Sequence, residues 1–287
     1  MTTATLAKTS LPCLICETKN AHEAVVCTSC GAPMALIQEA VIQDRDPCIV
    51  TVLGDSNVGK TVFLGMLLDM LSKRAEDYEA VPKGAYSVNL QHNVITHLSA
   101  RQFPPKTAME VDDWHWAYYQ VSHRKYGSRI YDLVMPDMAG EAIAAEVANP
   151  KTFQVIRSLL EKSAGAILLV DGAMAAAGSP QPDFFALKLM SYLDGVVIRR
   201  KSERIKTPVA IVLSKGDHCP ECFDDPRTFA QTNLNRLWNI CETRFDNFEV
   251  FAASVVGSLG YGTDGQETVI PYPLHVLRGG SLNLTSG

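Results

Sequence analysis

The feature that most constrains the fold is the segment GDSNVGKT at residues 54–61. It follows the short β-branched run CIVTVL and precedes FLGMLLDML, which is apolar on nearly every face. A buried strand, a glycine loop and a packed helix in this order are the context in which the pattern G-x4-G-K-T binds nucleotide phosphates. A chance glycine turn before a helix is the alternative. The segment favours a parallel α/β fold built around a phosphate site.

The chemistry of this loop assigns roles to its residues. Gly54 and Gly59 let the backbone curl so that N–H groups converge on a phosphate at a helix N-terminus. We expect Lys60 to reach the β- and γ-phosphates and the Thr61 hydroxyl to coordinate Mg²⁺. The predicted nucleotide-binding residues of this segment are Gly54, Asp55, Ser56, Asn57, Val58, Gly59, Lys60, Thr61 and Val62.

Further motifs end three later apolar runs. RIYDLVMPDMAGE contains a predicted strand that ends in D-x-x-G at residues 137–140. PVAIVLSKGD ends in S-K-G-D at residues 214–217, and FEVFAAS ends in alanine and serine at residues 253–254. The run GAILLVD at residues 165–171 is another buried strand. Each motif therefore lies at the C-terminal end of a predicted strand.

The motifs in this order resemble those of small GTPases of the TRAFAC class. Together with PPKT and PDMAGE, the long spacing between Lys60 and Thr107 resembles that of bacterial double-GTPase families, and the resemblance covers about residues 46–278. The resemblance implies that Asp137 contacts Mg²⁺ through water and that the Gly140 N–H meets the γ-phosphate. The residues that it places around a guanine base are Ser214, Lys215, Asp217, Ala253 and Ser254.

The preference for guanine depends on Asp217. A carboxylate offers only acceptors, and guanine presents its N1–H and 2-amino group as two donors. Adenine has no such pair, so a buried Asp217 would be left unpaired against ATP. Ser214 departs from the usual asparagine of the N-K-x-D motif, and its shorter side chain predicts weaker nucleotide affinity. An ordinary strand-to-loop turn is the alternative for S-K-G-D.

The effector-loop threonine and the residue that orients water complete the predicted site. Thr96 and Thr107 are the threonines between Val62 and Asp137. Thr107 is favoured because it follows a polar break at PPK, which leaves an insertion at about residues 74–106. Glu141 stands where Ras-like proteins carry glutamine, which predicts slow hydrolysis; capping of the following helix is its alternative role. The predicted catalytic residues are Lys60, Thr107, Gly140 and Glu141.

Four cysteines near the N-terminus form two C-x2-C pairs. The pairs are separated by ten residues, and a glycine follows the second pair. This spacing brings four thiolates around one tetrahedral zinc ion, and two disulfides are the alternative. The predicted zinc ligands are Cys13, Cys16, Cys27 and Cys30. We expect a zinc ribbon over residues 1–44 and a P-loop GTPase domain over residues 46–280.

A third C-x2-C pair follows the guanine motif. Cys219 and Cys222 have no evident further ligands apart from Cys241. Incidental cysteines in a surface loop are favoured here over a metal or redox site. The eight cysteines of the chain are all expected to be thiols of a reducing compartment.

Charge and hydropathy narrow the function classes. The formal net charge is −5, and residues 1–44 contain two basic residues, so no nucleic-acid partner is expected. No apolar run reaches the roughly 18 residues of a membrane span, and the N-terminus has no secretory pattern. A cytoplasmic location is the expectation.

These patterns together predict the fold and a function. The fold is a zinc ribbon on a three-layer α/β domain with a mostly parallel six-stranded sheet, in which one strand is antiparallel. The resemblance implies a GTP-binding switch that hydrolyses GTP slowly with Mg²⁺ and signals to a protein effector or activator. That partner could be a second GTPase or another copy of the chain. A non-hydrolysing nucleotide-binding scaffold and an ATPase are the alternatives.

Overall fold

The N-terminal module consists of two knuckles, which are the short turns around the two C-x2-C pairs, and one helix. A computed structural model describes residues 10–73, 78–123, 130–197, 203–261 and 267–278. The two-residue strands β1 (Leu11–Pro12) and β2 (Lys19–Asn20) pair antiparallel, and helix α1 spans Ala35–Gln43. The helix ends at Asp44, whose φ of 51° turns the chain into the first strand of the large sheet. The predicted boundary between the two domains lies in this link.

One sheet of eight strands forms the centre of the remaining chain. Its spatial order is β10-β9-β8-β7-β3-β6-β5-β4. Strands β6, β3, β7, β8 and β9 run parallel to one another. At one end β5 is antiparallel to β6 and β4 is antiparallel to β5, so β4 runs in the same direction as β6; at the other end β10 is antiparallel to β9. Among the described strands of this sheet, β5 and β10 therefore run against the others, where the sequence predicted one antiparallel strand. The strand bounds are β3 Cys48–Leu53, β4 Tyr78–Pro82, β5 His115–His123, β6 Ile130–Asp137, β7 Ser163–Asp171, β8 Val209–Ser214, β9 Phe248–Tyr261 and β10 Glu267–Arg278.

Helices cover both faces of this sheet. Their bounds are α2 Lys60–Ser72, α3 Asn89–Ser99, α4 Gly140–Ala148, α5 Gln154–Lys162, α6 Gly172–Ala176, α7 Gln181–Val196, α8 Glu221–Asp224, α9 Pro226–Asn233 and α10 Asn235–Arg244. Helices α2 and α3 pack on one face, while α1, α4, α5, α7, α10 and the knuckles share the core of the other. Strand β5 contributes to both cores, because Trp116 and Tyr118 face one side and Ala117 and Tyr119 the other.

The predicted fold class is confirmed, and the number of strands is larger than predicted. Within the residues that the structure describes, the large sheet has eight strands where the sequence predicted six. Strand β4 lies inside the predicted insertion, which also contains α3. Strand β10 carries two prolines, which argue against a strand in a sequence, and its register shifts at Pro271. In the described parts of the chain, every helix is too short or too polar to cross a membrane.

Candidate functional site

The loop between β3 and α2 surrounds a buried ammonium group. Lys60 is 7% exposed, and its Nζ donates to the carbonyl oxygens of Gly54 at 3.1 Å and Asp55 at 2.8 Å. Asn57 and Gly59 take positive φ values of 64° and 89°, which turn the backbone around this group. Burial lowers the pKa of Lys60 to about 8. A bound phosphate would counter that desolvation, because negative charge favours the ammonium form.

Three oxygen-bearing side chains meet beside the first turn of α2. Thr107 Oγ1 donates to Asp137 Oδ2 at 2.9 Å and lies 3.0 Å from Thr61 Oγ1. Thr61 Oγ1 also donates to Asp137 Oδ1 at 3.2 Å. Asp137 is 1% exposed, and burial raises the pKa of its carboxyl. Hydroxyl and carboxylate oxygens are the donors that Mg²⁺ prefers, so this cluster fits that ion. Thr96, the other candidate, lies exposed on α3.

The segment after Asp137 approaches the phosphate loop so closely that it requires glycine. A Cβ on Gly140 would lie 2.5 Å from the Ser56 backbone nitrogen and 2.7 Å from Lys60 Nζ. Any other residue would force the two segments apart. The structure therefore brings Gly140, the first residue of α4, directly against the loop. Contact of its N–H with a γ-phosphate stays a prediction.

Glu141 is held by two residues that the sequence analysis did not connect to it. The Ser56 hydroxyl donates to Glu141 Oε1 at 2.5 Å, and Lys106 Nζ lies 3.9 Å from the same oxygen. The hydrogen bond from Ser56 is the main cause that lowers the pKa of Glu141, so the carboxylate is ionised at neutral pH. Glu141 also occupies the first turn of α4, where a negative charge is favourable.

The predicted base-binding residues gather at the end of β8 and in the middle of β9. The predicted strand end at Ser254 is wrong, because β9 continues from Phe248 to Tyr261, where it pairs with β10. Asp217 Oδ1 accepts from the Ser254 hydroxyl at 2.8 Å, and its Oδ2 lies 3.3 Å from His218 Nε2. Ser214 donates to the carbonyl oxygen of Val170 at 3.2 Å, which ties β8 to β7. Ala253 is buried beside them. His218 was missed, and its only signal in the sequence is its position next to Asp217.

Lys215 has a carboxylate partner at the end of β7. Its Nζ donates to Asp171 Oδ2 at 2.6 Å, and its φ of 58° directs the side chain back across the end of the sheet. Asp171 also caps α6 by accepting from the Met174 N–H at 3.0 Å. One carboxylate thus fixes both the lysine and the helix that follows β7.

One cavity of about 510 Å³ joins the phosphate loop to the base-binding residues. Lys60, Thr61, Thr107 and Glu141 line one end, and Asp217 lines the other. Asp137 and Ser254 do not line this cavity, but each is hydrogen-bonded to a residue that does. The cavity can accommodate an extended ligand with phosphate at one end and a hydrogen-bonding ring at the other.

The N-terminal cysteines form a compact cluster. Their four sulfurs all lie within 4.8 Å of one another, with 3.6 Å between Cys13 and Cys30 and 3.5 Å between Cys16 and Cys27. Tetrahedral zinc with bonds of about 2.3 Å separates its sulfur ligands by about 3.8 Å. The hydrogen bond with Cys30 lowers the pKa of Cys13 to about 5, which favours the thiolate. All four are unpaired cysteines, which favours a metal cluster over two disulfides.

The prediction for the third cysteine pair is wrong. Cys219 and Cys222 are both fully buried and form a disulfide, so they are neither thiols nor part of a surface loop. Their position under α6 explains the burial, since a Cβ on Gly172 would lie 3.0 Å from Cys222 Sγ. The C-x2-C spacing was a local signal for this pairing, whereas the burial depends on contact with Gly172, a residue 50 positions before Cys222.

Comparison with known proteins gives one family match. Residues 51–186 match the model of the family described as Double-GTPase 1. The matched range contains the phosphate loop, Thr107 and the segment from Asp137 to Glu141, and it ends before Asp217. None of the curated proteins matches the chain.

Several solved structures align with low similarity. The Saccharomyces cerevisiae Ski7 GTPase-like domain bound to GTP has 18% identity and a TM-score of 0.42, over 77% of this chain and 45% of that one. Methanosarcina barkeri Roco2 RocCORdC bound to GDP has 15% identity and a TM-score of 0.32, over 72% and 44%. The Chaetomium thermophilum signal recognition particle receptor SRb-GTP/SRX complex has 16% identity and a TM-score of 0.41, over 75% and 94%.

The alignments span less than half of the Ski7 and Roco2 chains. The assignment therefore depends on the family match and on the geometry of the loop, the oxygen cluster and the cavity. The chain is a P-loop GTPase-like protein, similar over residues 51–186 to the Double-GTPase 1 family.

Proposed function

We propose that this chain binds GTP with Mg²⁺, hydrolyses it slowly and acts as a molecular switch toward a protein partner. The observation that carries the proposal is the single cavity that connects Lys60 and the Thr61–Thr107–Asp137 oxygen cluster to Asp217. The family match supports a nucleotide site of the GTPase type. The partner could be a protein effector, an activator, a second GTPase or another copy of this chain.

The base end of the cavity favours guanine. Asp217 has one hydrogen bond from Ser254 and one close contact with His218. An ionised carboxylate accepts about four hydrogen bonds, so both oxygens retain capacity for the N1–H and the 2-amino group. Adenine offers no such pair of donors, and binding it would leave a partly buried carboxylate unsatisfied.

The phosphate end supplies positioning and charge. Bound Mg²⁺ would neutralise charge that develops on the phosphates. Thr61, Thr107 and Asp137 would hold that ion, and the Lys60 ammonium would redirect its hydrogen bonds from the loop carbonyls to phosphate oxygens. Glu141 is ionised and held by Ser56, so it can accept a proton from water but cannot donate to phosphate. These properties favour slow intrinsic turnover.

Competition between GTP and ATP tests the choice of base. We expect GTP to displace a fluorescent GDP analogue and ATP to displace it at least about a hundredfold less well, since binding ATP leaves the carboxylate unpaired. Asp217→Asn should weaken GTP and strengthen xanthosine triphosphate, because xanthine has a carbonyl where guanine has its amino group. Lys60→Ala, as the matched variant at the phosphate end, should weaken every triphosphate equally. Equal wild-type affinity for ATP and GTP would leave the ATPase alternative.

A scaffold that binds GTP without hydrolysing it is the second candidate. The observation in its favour is Glu141 at the position that follows D-x-x-G, engaged with the loop through Ser56. Single-turnover hydrolysis, measured at increasing protein concentration and with candidate partners, separates the two. A rate that stays at the solution background in every condition supports the scaffold.

We also propose that the four N-terminal cysteines hold one structural Zn²⁺. Two backbone or amide donors already point at these sulfurs, Ile15 N–H to Cys13 at 3.3 Å and Asn20 Nδ2 to Cys27 at 3.4 Å. Such outer contacts stabilise thiolates bound to a metal. Unpaired thiols such as these four persist in reducing compartments, which favours the cytoplasm as the location, whereas the buried Cys219–Cys222 disulfide is a feature that such compartments disfavour.

A further inference from the structure

One lysine on the cavity wall has a weaker attachment than its neighbours. The described lysines that line the cavity are Lys60, Lys106 and Lys215. Lys60 is bound to two loop carbonyls, and Lys215 is bound to Asp171 at 2.6 Å. Among the described residues, the polar contact of the Lys106 ammonium is the one with Glu141 at 3.9 Å, and the side chain is 65% exposed. Its ammonium group can therefore move toward a new anion at little cost.

The backbone of Lys106 is nevertheless fixed beside the phosphate end. The next residue, Thr107, is anchored to Thr61 and Asp137 by contacts of 3.0 and 2.9 Å. Two prolines, Pro104 and Pro105, precede Lys106 and restrict its approach, because each locks its own φ. Because its backbone is fixed and its long side chain is held weakly, Lys106 can reach a ligand bound in the cavity.

The position of Glu141, the residue that Lys106 contacts, also indicates that a γ-phosphate would lie within reach of this lysine. Glu141 lies at the start of α4, directly after Gly140, whose close approach to Ser56 and Lys60 defines the phosphate end. A γ-phosphate carries more negative charge than one carboxylate, and it would lie on the same side of the cavity. The ammonium would then favour the phosphate over Glu141.

We infer that Lys106 is a catalytic residue, which donates hydrogen bonds to the γ-phosphoryl oxygens as GTP is hydrolysed. The inference depends on the proposed GTPase function and adds a cation supplied by the chain itself. In this step the oxygen of water forms a bond to the γ-phosphorus, and the bond from that phosphorus to the β–γ bridging oxygen breaks. GTP and water yield GDP, hydrogen phosphate and one proton released to solvent. Lys106 keeps its protons and offsets the charge on the transferring group.

The size of the effect follows from the type of cation. An arginine finger contributes roughly 10³–10⁵ in rate, in part through its bidentate geometry. A lysine is a point charge on a flexible chain and lacks that geometry. We therefore expect Lys106 to contribute about 10–100-fold, which agrees with slow but measurable turnover by the isolated chain.

The first experiment compares variants of the full chain in single-turnover hydrolysis at saturating GTP. Lys106→Ala should lower the rate about 10–100-fold, and Lys106→Arg should restore most of it. Lys188→Ala, an exposed lysine on α7 away from the cavity, is the matched control and should match the wild type. GDP lacks the γ-phosphate, so its affinity should change less than about threefold in all variants. Retained GDP binding shows that each variant is folded.

The second experiment needs no turnover. Aluminium fluoride with GDP mimics the transferring phosphoryl group, and ¹⁹F NMR detects the bound complex. The wild type, Lys106→Arg and Lys188→Ala should form it with GDP and Mg²⁺, whereas Lys106→Ala should not. Equal complex formation and equal rates in wild type and Lys106→Ala would overturn the inference but leave the GTPase function intact. A wild type that binds GTP without hydrolysing it would overturn both, and so would one that binds no GTP.

Discussion

The two predicted metal sites of this chain are built in opposite ways. The four cysteines lie within residues 13–30, and their sulfurs meet through two local knuckles. The Mg²⁺ cluster takes one residue each from the start of α2, the effector loop and the end of β6. We expect the first site to form only when its own segment folds around a metal. The second is assembled by the sheet, so its geometry exists before any ion binds.

Because the two sites are built differently, we expect folding to depend on metal at the first site and ligand binding to depend on metal at the second. A short segment without a core of its own takes its folding energy from the ion, as in other structural zinc sites. A site assembled by a large parallel sheet needs the ion for ligand binding and not for folding. Removing each metal, or one ligand of each, should therefore have different consequences.

The largest expected effect is at the cysteine cluster. Cys27→Ser should reduce the zinc content from one per chain to near zero and remove hydrogen-exchange protection from residues 10–34. Cys48→Ser, which alters a cysteine of β3 outside the cluster, is the control and should keep the metal. Elemental analysis and exchange mass spectrometry give the two readouts. A wild type without zinc whose four cysteines are oxidised would exclude the ribbon.

The next effect concerns the effector loop. Thr107→Ala removes one of the three oxygens of the Mg²⁺ cluster and should lower the affinity for GTP with Mg²⁺ by at least about tenfold, or about 1.4 kcal/mol. Thr96→Ala changes the other threonine of the same stretch, which is exposed on α3, and should have no effect. Titration of a GTP analogue with and without Mg²⁺ measures both. An equal loss in the two variants would mean that the wrong threonine was assigned.

A smaller effect is expected at Glu141. Glu141→Gln removes a negative charge from the phosphate end and introduces a side chain that can both accept from water and donate to phosphate. It also releases Lys106 from its ion pair. We expect hydrolysis by the isolated chain to increase about tenfold, with GDP affinity unchanged within about threefold. A wild-type rate near 1 per second that stays the same in Glu141→Ala would contradict both slow turnover and a direct role of this carboxylate.

The sequence predicted the parts of the site in which a motif directly follows a buried strand. Buried parallel strands such as β3 and β8 have continuous β-branched runs, and their motifs follow at the strand ends. The contact between Ser56 and Glu141 joins residues 85 positions apart, and no local pattern encodes it. The position of Lys106 in the cavity wall could not be predicted for the same reason. It depends on the path of the effector loop, which is set by the contacts of Thr107 with Thr61 and Asp137.

The strands at the two ends of the sheet were missed for a related reason. Strand β4 has only five residues, YEAVP, and two of its apolar side chains are exposed. Strand β10 contains prolines that an interior strand would not tolerate. Edge strands are specified by the neighbour that they pair with, and a short or proline-containing segment gives little warning of that pairing.

The smallest expected effect lies where the two compared regions meet. Gly31, which follows the last cysteine of the cluster, has a φ of 74°, and a Cβ there would lie 3.2 Å from Cγ1 of Val111 at the end of the effector loop. Gly31→Ala should keep zinc but lower the free energy of unfolding by about 1 kcal/mol, because alanine is disfavoured at positive φ.

The matched control is Gly195→Ala, at an exposed helical position of α7 where nothing lies within 4 Å of the added carbon. It should raise the stability slightly, since alanine is the better helix former. The opposite signs separate strain at Gly31 from a general effect of the methyl group. If the GTP affinity of Gly31→Ala falls together with its stability, while zinc content stays at one per chain, the cysteine cluster and the effector loop are coupled. If stability alone changes, the two regions share a core and function independently.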